Sequence, residues 1–251
     1  MAFVGKKDLE QKVVDSFHRS GKRMEHMFVR PDALLNALTN DEDTEKGCVM
    51  IDFGAQSTTM TVYKGSQYLY NKVVPIGGYD ISRDIEQIGI NLAYAEQLKC
   101  KHGCASAELV RTNHRFRIPS VLVPQGEVAI TAVELAEIIS NRLSQIVDPL
   151  LETLNKEASR FGVLYITGGG AMLQGLMEFI QARTNIPVMY GSHATWLTQD
   201  TADEMCLPIY SSLVGTLLLG ASYRDKHPIP KYDKRGIIDF LTEKSLEIFT
   251  D

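Results

Sequence analysis

Ile166-Thr167-Gly168-Gly169-Gly170-Ala171-Met172-Leu173-Gln174-Gly175 is preceded by the hydrophobic run 163–166 and followed by an amphipathic segment over 173–184. This order reads as strand, tight turn, helix. Glycines at such a turn let the backbone approach a flat or charged ligand with no Cβ in the way. A second glycine turn, Asp52-Phe53-Gly54-Ala55-Gln56-Ser57-Thr58-Thr59, lies far upstream and follows the buried-type strand 48–53. Two separated glycine turns, each after a buried-type strand, predict two parts of one nucleotide cleft.

The bulk composition fits that prediction and excludes others. The chain has 251 residues, 44% hydrophobic and 23% charged, as in an ordinary globular protein of one large or two modest domains. A net charge of -5 argues against general affinity for nucleic acid. Four cysteines are too few for a disulfide scaffold of this size, so a reducing cytoplasm is the expected compartment. No apolar run reaches membrane-span length, and the start, Met1-Ala2-Phe3-Val4-Gly5-Lys6-Lys7, has no signal-peptide core.

Local patterns place the remaining elements. Leu9, Val13, Val14 and Phe17 predict a helix over 8–20. Residues 27–29 read as a short strand, and Pro31 opens a helix ending at Leu38. The acidic run 40–45 reads as a solvated loop. Residues 59–63 and 67–76 form a hairpin across Lys64-Gly65-Ser66. Gly77-Gly78 ends the second strand, and helices are predicted over 79–88 and 92–102, the latter capped by Asn91. A strand over 116–123 precedes a long helix over 131–159, which opens with a Thr131–Glu134 capping box and is kinked or divided at Pro149. A short strand over 187–190, a loop over 192–207, a helix over 209–222, a Pro-containing linker over 224–235 and a last helix over 236–250 complete the chain. Interleaved strands and helices favour an α/β class.

The chemistry of the first turn is compatible with phosphate. Gly54, Ser57, Thr58 and Thr59 offer amides, hydroxyls and little bulk, and Asp52 at the strand end suits a metal-bound water. A polar hairpin turn explains the same residues equally well. Cys100 and Cys104, with His102 between them, lack a third and fourth metal ligand at suitable spacing. No Gly-x-Ser-x-Gly elbow occurs. Trp196, the one tryptophan, is expected to anchor a loop.

Ala95-Glu96-Gln97-Leu98-Lys99, followed by Lys101-His102-Gly103-Cys104-Ala105, resembles the adenosine-contacting helix of the FtsA family of actin-like bacterial cell-division proteins. The turn at 52–59, Gly77-Gly78 and the Thr-Gly-Gly-Gly-Ala-Met-Leu turn resemble the same family in the same order, as do Ile118-Pro119-Ser120, Leu135-Ala136-Glu137-Ile138-Ile139 and Tyr210-Ser211-Ser212-Leu213-Val214-Gly215. The resemblance covers about 8–222, and Lys-His-Gly-Cys-Ala is its most specific piece. It implies an actin-like, ribonuclease H-like α/β ATPase domain that binds ATP with magnesium. Asp52, Gly54 and Thr58 would line the phosphates, Glu96 and Lys99 would reach the ribose, and Gly168, Gly169 and Gly170 would flank adenosine. Gly215 would lie in the second interdomain connection.

The implied organisation is a large subdomain over 46–75 and 163–223, an inserted smaller subdomain over 76–162, and residues 1–45 as the last helix and strand of a first domain otherwise missing from this chain. Residues 1–45 hold no phosphate loop of the aspartate–glycine–threonine type, Gln56 stands where the family usually has glycine, and Met60 replaces a common acidic residue. Weak or no ATPase activity is therefore expected. The resemblance implies an adaptor on the inner face of the cell membrane that self-assembles in actin-like fashion. The carboxy-terminal peptide of FtsZ would be received in the inserted subdomain, at Asn141 and Arg142, although a surface charge on a long helix explains Arg142 equally well. In the last helix Ile237, Ile238, Phe240, Leu241, Ile248 and Phe249 share about half of a helical wheel, with Asp239, Glu243 and Glu247 opposite. Lys231, Lys234 and Arg235 precede it and suit anionic lipid head groups. A helix docked on its own domain or on a partner is the alternative. At the level of function the alternatives are a pilus-assembly adaptor of related fold and a sugar-kinase-like phosphotransferase.

Overall fold

The computed structural model describes residues 7–226 apart from Arg23, Glu25 and Ser66. The helices α1 (Lys7–Arg19), α2 (Arg30–Leu38) and α3 (Asp41–Lys46) come first. Residues 27–29 form no strand among the described residues, though Val29 is extended. The acidic run is helical and not a loop. The Asp43 amide donates to the Asn40 side chain at 2.9 Å and the Asn40 amide to Asp43 at 3.3 Å, so a capping box starts α3.

Next come β1 (Cys48–Phe53), β2 (Thr58–Lys64) and β3 (Gln67–Val74), paired antiparallel in succession. The helices α4 (Gly78–Glu86) and α5 (Leu92–His102) follow, and Asn91 caps α5 by accepting from the amides of Ala93 and Tyr94. A small antiparallel pair, β4 (Arg115–Pro119) and β5 (Glu127–Thr131), leads into α6 (Ala132–Asn155). The strand expected over 116–123 therefore stops at Pro119, and β5 was not anticipated. The predicted capping box of α6 is present, with the Glu134 amide donating to Thr131 and the Thr131 amide to Glu134. Pro149 does not divide α6. Ile146, Val147, Leu150 and Leu151 around it are buried, and Lys72 donates to the Pro149 carbonyl, so packing outweighs one lost helical bond.

The last elements are β6 (Val163–Thr167), α7 (Leu176–Gln181), β7 (Val188–Tyr190) and α8 (Ser211–Lys226). The expected loop at 192–207 contains short 3-10 turns, and α8 runs four residues past Ser222. The linker expected over 224–235 thus begins within α8. Residues 227–251, with Ile237, Ile238, Phe240, Leu241, Ile248 and Phe249, lie outside the described residues.

The main sheet has the order β3-β2-β1-β6-β7, with β1, β6 and β7 mutually parallel. Side chains alternate between its two faces. Cys48 and Met50 of β1 pack with Leu34, Ala37 and Leu38 of α2, while Val49, Ile51 and Phe53 join α6 and α7 on the opposite face. Every residue of β1 is buried, as a central strand covered by helices on both faces requires. The α2 face is pinned by Tyr63, which donates to Asp32 at 3.1 Å, and by Tyr165, which donates to Asp43 at 2.9 Å. One hydrophobic cluster runs from the sheet through α6 to Ile118 and Ile130 of the small hairpin, so the segment between β3 and β6 shares the core of the sheet.

Candidate nucleotide cleft

Parallel pairing sets Asp52 opposite Thr167, so the turns after β1 and β6 leave the sheet side by side. The carboxyl ends of adjacent parallel strands are where open α/β sheets form ligand crevices. The two turns are also clasped to each other. Gly168 has φ +85, and a Cβ there would fall on Oδ1 of Asp52 and lie 2.6 Å from the Phe53 carbonyl oxygen. A Cβ on Gly170 would lie 2.7 Å from the Phe53 Cβ. At Gly169 the nearest atom would be Ile209 Cδ1 at 3.9 Å, so that position faces open space. Two glycines of the triplet therefore lock the turns together, and the middle one faces the cleft.

The Gly77-Gly78 turn docks from the other side. A Cβ on Gly77 would sit 2.5 Å from the carbonyl oxygens of Gly54 and Ala55. The amides of Gly78 and Tyr79 donate to those same carbonyls at 3.0 and 2.8 Å. Thr58 is buried, and its hydroxyl donates to the Ile76 carbonyl at 3.0 Å, so it holds the turn in place from behind. Thr59 pairs with Asp52 inside the sheet. Gln56 carries no strain, since Gln125 is the one non-glycine with positive φ among the described residues; the glycine expected at position 56 is not required here.

Between the turns lie two adjoining cavities of about 250 and 370 Å³. Arg30, Gly54 and Ala55 line both. Asp52, Gly168 and Gly169 line the first, and Ser57 the second. Among the described residues the amides of Ala55, Gln56, Gly169 and Gly170 donate no hydrogen bond, as a cradle for anionic oxygens requires. These features fit a nucleotide phosphate. Asp52 fits a divalent metal less well. Its Oδ2 accepts from Arg30 Nη1 at 3.0 Å, and its Oδ1 is shielded by Gly168.

The adenosine-side residues stand one layer away. Lys99 donates to the Gly78 carbonyl at 2.7 Å and to Glu96 at 2.8 Å, and Ser82 and Cys100 also donate to Glu96. Burial raises the Glu96 pKa, but these hydrogen bonds outweigh it and hold the carboxyl below its ordinary value. Lys99 thereby joins α5 to the docked turn, while half of the Glu96 side chain stays exposed. Gly215 lines neither cavity. It sits in α8, where a Cβ would collide with the Ala33 carbonyl of α2.

Asn141 is exposed on α6, and Arg142 beside it makes two bonds of 2.6 Å to the Asp84 carboxylate of α4. Trp196 donates to the Ala37 carbonyl at 3.2 Å and ties its loop to α2. Two cleft contributors were not foreseen. Arg30 stands alone in sequence, and the one signal was its place before Pro31 at a helix start. His193 is fully buried between Ser211 Oγ at 3.0 Å and the Met205 carbonyl at 2.7 Å, and it fixes the start of α8 beside Ser212 of the cleft wall.

The family model described as cell division protein FtsA matches residues 49–215, which hold both turns and the whole segment between them. The chain belongs to the FtsA family. FtsA of Neisseria meningitidis is 26% identical over 227 residues, covering 88% of this chain and 54% of that protein. FtsA of Escherichia coli K12 is 27% identical over 225 residues, covering 85% and 53%. The chain thus spans about half the length of the curated FtsA relatives it matches. Among solved structures, MreB5 of Spiroplasma citri bound to ADP superposes with a TM-score of 0.71 at 15% identity, over 90% of this chain and 69% of that one. The PilM-PilN type IV pilus biogenesis complex gives 0.65 at 18% identity, over 86% and 59%. The fold is actin-like. No helix among the described residues is long and apolar enough to cross a membrane.

Proposed function

We propose that this chain carries the adenine-nucleotide cleft of an FtsA-type cell-division adaptor. The clasp of Gly168 and Gly170 on Asp52 and Phe53, at the carboxyl ends of β1 and β6, carries this reading. The clasp leaves Gly169 in open space beside cavities wide enough for phosphate groups, and the amides of Ala55, Gln56 and Gly169, which belong to the lining residues, donate no hydrogen bond among the described residues. The MreB5 structure of the same fold is bound to ADP, which supports the ligand class. ATP or ADP occupies the cleft, with phosphates at the turn after β1, the ribose toward Glu96 and Lys99, and Gly168, Gly169 and Gly170 flanking adenosine. Turnover is negligible, because the one carboxylate among the described residues lining the cleft is already paired with Arg30.

The adaptor role rests on family membership. The inserted subdomain receives the carboxy-terminal peptide of FtsZ, and self-association follows the actin-like pattern. The apolar stripe of residues 237–249, preceded by Lys231, Lys234 and Arg235, holds the protein against the inner face of the membrane. Loss of anionic-liposome binding on deletion of residues 227–251 tests that contact.

The direct test of the adaptor role is titration with a fluorescent peptide from the carboxy terminus of the same organism's FtsZ. Asp84 already holds Arg142, so the control takes two variants. If Arg142 reads the peptide, Arg142→Ala weakens binding and Asp84→Ala, which frees the guanidinium, does not. Absence of saturable binding by the folded chain overturns FtsZ recognition and favours an adaptor of the pilus type, whose fold this chain shares.

A further inference from the structure

Arg30 is the one cation, and Asp52 the one acid, among the described residues lining the cleft. The carboxylate is nearly covered, with 10% of the Asp52 side chain exposed, while the Arg30 side chain is 64% exposed. Among the described residues Arg30 makes a single hydrogen bond, Nη1 to Asp52 Oδ2, so its remaining donors are open to the cleft. The Asp52 charge is therefore balanced from within the chain. A divalent cation bound to Asp52 would have to displace that guanidinium or sit beside it, charge against charge. A guanidinium with free edges is itself a strong partner for phosphate oxygens.

We propose that Arg30 takes the place of a divalent cation in this cleft, so that the nucleotide phosphates are held by Arg30 and the turn amides and binding needs no magnesium. This rests on the nucleotide reading above and adds to it the identity of the counter-charge. The competing arrangement, a metal on Asp52 with Arg30 swung aside, makes the opposite prediction.

The experiment is titration of the full chain with fluorescent ADP, in excess EDTA and again in millimolar magnesium. It is repeated for Arg30→Ala and Arg30→Lys, with thermal unfolding confirming that each variant is folded. The expected result is equal affinity for the wild type in both buffers. Arg30→Ala should then bind about 10- to 100-fold more weakly in EDTA, as loss of a charged hydrogen bond implies, and recover in magnesium once Asp52 is released. Arg30→Lys should keep the metal independence with reduced affinity. Wild-type binding that appears only with magnesium overturns the proposal and leaves the nucleotide reading standing. Unchanged affinity of Arg30→Ala in EDTA overturns it as well. No binding in either buffer removes the nucleotide reading and this proposal together.

Discussion

Gly168 lies so close to Asp52 that any side chain at position 168 would have to occupy the place of Oδ1. That contact joins two turns that are distant in sequence. It predicts a sharp hierarchy within the triple glycine. Gly168→Ala meets both the contact and a φ of +85, and is expected to destabilise by about 2–5 kcal/mol. Gly170→Ala, pressing on Phe53, should cost about 1–3 kcal/mol. Gly169→Ala, with open space around its Cβ, should stay within about 0.5 kcal/mol of the wild type. Urea unfolding of the three variants checks the order.

The Arg142–Asp84 pair joins α6 to α4 with both side chains about three-quarters covered or more. Hydrogen bonding to Asp84 raises the Arg142 pKa further above its ordinary value. Removing one partner leaves the other charge partly buried, so Arg142→Ala or Asp84→Ala should each cost about 1–3 kcal/mol. A double-mutant cycle should show strong coupling, and additive losses would mean that the two charges act independently.

Glu134 predicts part of the acid response. Hydrogen bonds from the Thr131 amide and hydroxyl lower its pKa below the ordinary 4.5. A carboxyl whose pKa falls on folding contributes stability above its unfolded value and loses it as pH drops through the folded one. Stability should therefore fall below about pH 4.5, and Glu134→Gln, which can still accept the amide, should show a shallower acid limb. Urea midpoints measured between neutrality and the acid limb decide this; identical slopes would remove Glu134 from the account.

The cysteines should divide into two classes. Cys48 is buried in β1, and burial with the nearby Asp43 charge pushes its thiol up to about 12. Cys104 is also buried. Cys100 and Cys206 are exposed, though burial and the bond to Glu96 raise the Cys100 pKa. A disulfide exchange reagent at mildly alkaline pH should label Cys206 first, Cys100 more slowly, and the other two only on unfolding. Labelling of Cys48 in the folded protein would contradict the burial of β1.

Much of this was legible in the sequence because local signals and tertiary demands agree. The largely apolar β1, the Lys64-Gly65 hairpin, the Asn91 cap and the Thr131–Glu134 box each specify one local structure, and each is present. Failures came where a signal was weak or outvoted. The five-residue β5 ends at the helix cap and merges with it in sequence. Charge hid the Asn40–Asp43 box that makes residues 41–46 helical. Pro149 argued for a break that the buried face of α6 overrides. In the cleft the glycine turns were readable, but the division between the clasping Gly168 and Gly170 and the open Gly169, and the structural role of Thr58, were not, since motif position does not say which way a residue faces. Arg30 reaches the cleft from a helix start 22 residues before its partner, a relationship only the fold creates.

Calorimetric titration of ADP into the wild type and Gly169→Leu tests the central claim most directly. A Cβ at position 169 meets nothing nearer than Ile209 Cδ1 at 3.9 Å and leaves the clasp untouched, so the variant should keep its unfolding temperature while its side chain takes up cleft space. Saturable binding by the wild type, abolished in Gly169→Leu, is the predicted result. No binding by the folded wild type, or equal binding by the variant, would show that the space between these two turns is not a nucleotide site.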